Sequence, residues 1–259
     1  MTTPTLESFL ERDRRLVMAG LMLLVAWAWF YIFREAKGLH CLTMCMNAKS
    51  GLGVLFMAMF EMWVIMMVAM MVPSAAPLLL MFARVQRQRR LNAQPFVPTG
   101  IFLLGYILIW TGFSALATIL QIWFQIHGWL SRDMILTHPG FTGGILVGAG
   151  IFQWTSLKQA CLKYCRTPLQ FILTHWREGF AGAWQMGLIH GAYCLGCCWL
   201  LMIILFVVGV MNLSWVLGLT AFVILEKYLK FGRALSRFTG LGLVLWGLIL
   251  IFQQTIRVS

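Results

Sequence analysis

One imidazole and three thiols sit close together in an otherwise apolar run: His190, Cys194, Cys197 and Cys198 in HGAYCLGCCW, residues 190–199. On a helix turning about 100° per residue, with His190 as zero, the three cysteines fall near +40°, −20° and +80°. All four side chains therefore share one face. Soft and borderline donors on one side of a helix meet the first demand of a metal site. Two other readings stay open. Neighbouring thiols can exchange disulfides, and cysteine is also a small hydrophobe that fills helix interfaces, which Gly191 and Gly196 would bring close.

Other groups could join this chemistry. Cys161 and Cys165 form a CxxxC among Lys158, Lys163 and Arg166, where positive charge is expected to favour the thiolate. They are candidates for a transfer site on the cytoplasmic side, or idle thiols. An outer loop, GLHCLTMCMNAK, offers His40, Cys41, Met44, Cys45 and Met46 as a capture site. Thiolates with thioethers select reduced copper over hard ions, and structural zinc usually shows no methionine; a Cys41–Cys45 disulfide is the alternative. In FMAMFEMWVIMMVAMMVP, Met59, Met62, Met66 and Met70 make a stripe with Met67 and Met71 beside it, serving either core packing or a metal path. Glu61 lies nearly opposite that stripe. A carboxylate within a span is expected to face the protein interior and to be functional. Glu226, beside Lys227, is either half of an interfacial charge pair or a hard ligand facing the cysteines.

These residues need elements to hold them, and composition names the medium. With 61% hydrophobic residues, 11% charged residues and a mean hydropathy of +0.83, the chain cannot cover a soluble globule with polar surface. An all-α polytopic transmembrane bundle follows, because stretches of about 20 apolar residues lack the alternation of barrel strands. The expected spans are 15–33, 54–82, 99–124, 140–157, 180–211, 213–226 and 238–254, seven in all, within one membrane domain over 1–259. Six are possible, since the fifth is overlong and its first half could lie along the interface or bend at its glycines. The net charge of +12 is spread over short clusters between spans. It records a cytoplasmic amino terminus and an outer carboxyl terminus rather than affinity for nucleic acid. The first span reads as an uncleaved anchor, without an A-x-A cleavage site. Pro73 and Pro77 are expected to kink or end the second helix. No nucleophile elbow, phosphate loop or HExxH supports a hydrolase or a kinase.

The segments WVIMMVAMMVPSAAP (63–77), FQWTSLKQACLKYCRTP (152–168) and HGAYCLGCCWLLM with the following GVMNLSW and EK (190–227) resemble a bacterial family of predicted metal-binding integral membrane proteins. That family is a domain of unknown function also named copper chaperone. The resemblance runs from the second span to Lys227. It implies a bacterial inner membrane, and metal ligation at Met66, Met70, Met71, Cys161, Cys165, Cys194, Cys197, Cys198 and Glu226; HCLTMCM is outside the shared pattern. The leading expectation is handling of reduced copper, with zinc or no metal as alternatives, for delivery to a donor or acceptor protein or across the bilayer. A membrane thiol-disulfide oxidoreductase, and an accessory subunit or assembly factor of a copper membrane enzyme, are the competing functions.

Overall fold

The computed structural model describes residues 6–46, 51–131 and 134–258, with side chains for 15–35, 51–131 and 134–253. These residues are helical almost throughout: α1 (Leu6–Met46), α2 (Leu52–Leu91), α3 (Thr99–Ile126), α4 (Pro139–Phe152), α5 (Ser156–Arg166), α6 (Pro168–His175), α7 (Gly179–Ile203), α8 (Leu205–Val208), α9 (Leu213–Tyr228) and α10 (Gly232–Val258). Among the described residues, five helical stretches are long and apolar enough to cross a membrane: Arg15–Glu35, Leu52–Leu91, Thr99–Ile126, Gly179–Val208 and Gly232–Gln253. Five of the expected seven spans meet that length. At 14 and 16 residues, α4 and α9 reach only about 21 and 24 Å, against a hydrocarbon core of about 30 Å.

Small residues set the packing. A Cβ on Gly105 would meet the Trp184 carbonyl at 2.4 Å, and one on Gly187 would meet that of Phe102 at 2.1 Å, so α3 and α7 touch backbone to backbone. The helices α4 and α10 do the same at Gly143 and Gly247 and at Gly150 and Gly240. Close approach of this kind lets helices associate where lipid supplies no hydrophobic drive. The first helix lies against α2, burying Ala28 and Ile32. The basic segments gather at one end of the bundle. Arg89 pairs with Glu178 at 2.8 Å, Arg166 donates to the Leu229 and Lys230 carbonyls, and the Trp154 indole donates to the Arg237 carbonyl at 3.2 Å. At the opposite end the Leu136 N–H donates to the Phe206 carbonyl at 2.8 Å.

Several boundaries differ from those the sequence implies. α2 runs through both prolines to Leu91. Pro77 cannot donate to the Pro73 carbonyl, and the Tyr228 hydroxyl does so instead at 3.1 Å, so the freed acceptor is satisfied by a side chain of α9. The segment read as an outer loop over 34–50 is helical as far as Met46; the side chains of His40, Cys41, Met44, Cys45 and Met46 lie outside those described. The overlong fifth span divides into α7 and α8 before Gly209, whose φ of 99° suits a reversal that glycine makes at little cost. Its first half is not an interfacial helix, because Ala183 and Met186 are fully buried and Gly187 abuts α3. Residues 158–175, read as connection, fall within α5 (Ser156–Arg166) and α6 (Pro168–His175). Thr155 caps α5 by accepting from the Lys158 N–H at 3.3 Å, one of the orphan donors of a helix start.

Candidate metal centre

The α7 face stays together in three dimensions. Cys194, Cys197 and Cys198 are fully buried and His190 nearly so. Two of the thiols turn back on their own helix, Cys197 donating to the Cys194 carbonyl at 3.1 Å and Cys198 at 2.9 Å. Cys198 Sγ also lies 3.9 Å from Met71 Sδ. The cysteine face thus meets the methionine stripe, and it does so at Met71. The stripe itself faces inward, with Met59, Met62, Met66, Met67 and Met70 all buried.

Three polar groups from other helices complete the surroundings. The Tyr106 hydroxyl on α3 lies 3.1 Å from Cys194 Sγ and donates toward the Met71 carbonyl at 3.0 Å. Lys227 on α9 donates to Cys194 Sγ at 3.0 Å and to Ser74 Oγ at 2.8 Å. Sequence reasoning named Lys227 only as a neighbour of Glu226 and passed over Tyr106 and Ser74. The available signal was a polar atom within an apolar span, where each such group needs a partner. Glu226 and Lys227 are not an interfacial pair. Both are buried, and they point to different sites. Glu226 forms an ion pair with Lys158 at 2.6 Å and accepts from Ser236, while Lys158 also donates to Gln153. Glu226 Oε2 and Gln153 Nε2 have no protein partner there.

On α5, Cys161 and Cys165 come to the same cluster. A Cβ on Gly196 would lie 2.8 Å from Cys161 Sγ, so this glycine gives the thiol its seat against α7. Hydrogen bonding to Cys194 and Cys197, with burial added, pushes the Cys165 thiol well above its ordinary range. Burial, and then the neighbouring Cys197, push Cys161 up as well. The lysines of the segment do not produce the thiolate-favouring setting expected of them. Lys158 is engaged with Glu226, and Lys163 is exposed.

His190 sits in an aromatic box, 5.6 Å from the Tyr106 ring and 5.2 Å from Phe171 between centroids, and its Nδ1 has no partner. Glu61 faces outward rather than into the bundle, accepting from the Tyr31 hydroxyl at 3.3 Å. All five described cysteines are free. Among the described residues, no three histidine, cysteine or acidic side chains are already placed to hold one metal ion. The donors present are soft, adjacent and largely turned toward their own backbone. Sulfur donors of this kind suit an ion that binds thiolate and thioether.

Comparison with curated proteins and with solved structures gives no match. A family model described as copper chaperone, PpoB2, matches residues 60–250. That range takes in the cysteine cluster, Met71 and Lys227, and it omits the histidine, cysteines and methionines at 40–46. A match over most of the chain places this protein in the PpoB2 copper chaperone family.

Proposed function

We propose that the protein holds reduced copper within the membrane and passes it to a partner. The observation that carries this reading is the approach of Cys198 Sγ to Met71 Sδ at 3.9 Å, which places a thiol and a thioether from two helices at one buried point. Cys194 and Cys198 would bind as thiolates with Met71 as a third, weaker donor. Cys198 has to rotate off the Cys194 carbonyl it now contacts, so uptake needs a rotamer change but no change of fold. Cys197, Cys165 and Cys161 continue the series of sulfurs toward α5, a route for exchange from one thiol to the next. On the other side, Met70, Met66, Met62 and Met59 extend the thioethers toward the start of α2. His190 is a reserve donor through its unpartnered Nδ1. Glu226 serves to anchor Lys158 rather than to bind copper.

In this reading α4 and α9 also traverse a locally thinned bilayer, giving seven crossings with the basic end in the cytoplasm. The membrane is the bacterial inner membrane, and the acceptor is a copper-binding protein or a copper enzyme under assembly. The test is copper stoichiometry of detergent-solubilised protein, loaded with Cu(I) and challenged by a chromophoric Cu(I) chelator. Wild type should retain copper, and a folded Cys194→Ser, Cys197→Ser, Cys198→Ser variant should lose it. Equal retention by that variant would sink the assignment. The placement of Cys165 against Cys194 and Cys197 favours a second chemistry, thiol-disulfide exchange. Mass-resolved alkylation of native membranes would reveal it as a Cys165 disulfide formed by exchange with a partner protein's disulfide, which is left reduced, and broken again by a partner's dithiol.

A further inference from the structure

Lys227 is an ammonium buried in the bundle with sulfur, not carboxylate, for company. Its hydrogen-bond partners are Cys194 Sγ and Ser74 Oγ. The groups that face it from the packed helices are Cys194, Cys165, Cys197 and Tyr106. Glu226, the preceding residue in the chain, is taken by Lys158. The other buried cation of this region therefore has a resident anion, whereas Lys227 has only thiols. A buried charge without a counter-charge is costly, so Lys227 is best accommodated when those thiols are ionised. Metal binding ionises them, because a thiol loses its proton when it becomes a ligand.

We propose that Lys227 sets the valence of the ion this centre accepts, making it a site for monovalent soft cations and not for divalent ones. The inference rests on the copper-binding reading above and adds the charge selectivity. Two thiolates and one monovalent ion carry a net charge of minus one, which the Lys227 ammonium neutralises. Two thiolates and a divalent ion are already neutral, and Lys227 would then leave an uncompensated positive charge in a medium of low dielectric. A third thiolate could restore neutrality for a divalent ion. Among the described residues, however, no three such donors are already placed to hold one ion, and the third donor of the proposed set, Met71, is neutral. Lys227 acts through Cys194 and so is a positioning residue, not a ligand.

The experiment loads solubilised full-length protein with Ag(I) or Cu(I) under reducing conditions and challenges it with Zn(II), reading bound metal per chain. Wild type should keep the monovalent ion against excess Zn(II). Lys227→Arg retains the charge and should keep the preference. Lys227→Met should lose at least about tenfold in retention of Ag(I), in line with the loss of one buried charge partner, and should no longer exclude Zn(II). A merely structural lysine would not change which ion is chosen. If Zn(II) displaces Ag(I) on equal terms from wild type, or if folded Lys227→Met discriminates as wild type does, the proposal is overturned while the binding site stands. If wild type takes up no soft ion at all, the copper reading falls and this one with it. Should Lys227→Met fail to fold, the wild-type competition still decides.

Discussion

Met71 and Cys198 make the sulfur-to-sulfur contact that joins α2 to α7, at 3.9 Å, and each side of it can be varied separately. Met71→Leu conserves shape and removes the thioether, so it should cost less than about 1.5 kcal/mol of stability. It should also weaken Cu(I) retention by about tenfold, the scale of one modest ligand, as read by chelator competition beside a thermal melt. A second expectation concerns Cys161 and Cys165. Both thiols are pushed above their ordinary range, Cys161 chiefly by burial and Cys165 chiefly by hydrogen bonds to Cys194 and Cys197. The reactive thiolate is then scarce at neutral pH and increases as pH rises. Maleimide labelling of these two positions should be slow at pH 7 compared with an unstructured cysteine peptide and should accelerate on the alkaline side. Labelling at the peptide rate would contradict the upward shift of both thiols. The shared face of His190, Cys194, Cys197 and Cys198 was legible in sequence because helical periodicity alone fixes it. Tyr106, Ser74 and Lys227 were not, because each arrives from a different helix, and one sequence carries no record of which helices touch.

Two helix pairs close on glycines, α3 with α7 and α4 with α10. A Cβ at Gly187 would lie 2.1 Å from the Phe102 carbonyl, so Gly187→Ala forces α3 and α7 apart along the face that carries Tyr106 and Cys194. It should cost on the order of 1–3 kcal/mol, as overpacking does. Gly218→Ala is the control, since nothing lies within 4 Å of its added methyl, and there alanine should gain up to about 1 kcal/mol from helix propensity. Denaturant or thermal unfolding in detergent reads both, and equal effects would remove the glycine contact as the organising feature of this helix pair. The positions of most helices followed from apolar length, but two features did not. The continuation of α2 through Pro73 and Pro77 depends on the Tyr228 hydroxyl reaching the Pro73 carbonyl, a partner 155 residues away in the chain. The helix α5 looked like a charged connection because Lys158, Lys163 and Arg166 dominate its composition. In the fold Lys158 turns inward to Glu226, which leaves Leu162 and the two thiols to pack on the bundle.

Across the whole molecule, composition and apolar length were enough to expect helices of membrane-crossing length, and five such stretches are present among the described residues. How many helices cross is a harder matter, because α4 and α9 are shorter than the hydrocarbon core and gain their place by packing, α4 chiefly on α10. The proposal of seven crossings rests on charge. The ends bearing Arg89, Arg166, Lys230 and Arg237 meet at one pole through the Arg89–Glu178 pair and the contacts of Arg166 and Trp154, and that proposal assigns this pole to the cytoplasm. Five crossings and seven both leave the carboxyl terminus outside when the amino terminus is inside, so a terminal reporter cannot separate them. The segment between α4 and α7 can. If α4 crosses, Lys163 on α5, which is exposed, faces the cytoplasm; if α4 does not cross, it faces outward. A Lys163→Cys variant in a background with the native cysteines changed to serine should therefore resist a membrane-impermeant maleimide in intact cells and react once the membrane is opened. Labelling in intact cells would remove α4 as a crossing. It would also place the Cys161 and Cys165 end of the sulfur series outside, on the same side as the start of α2, so the series would no longer span the membrane.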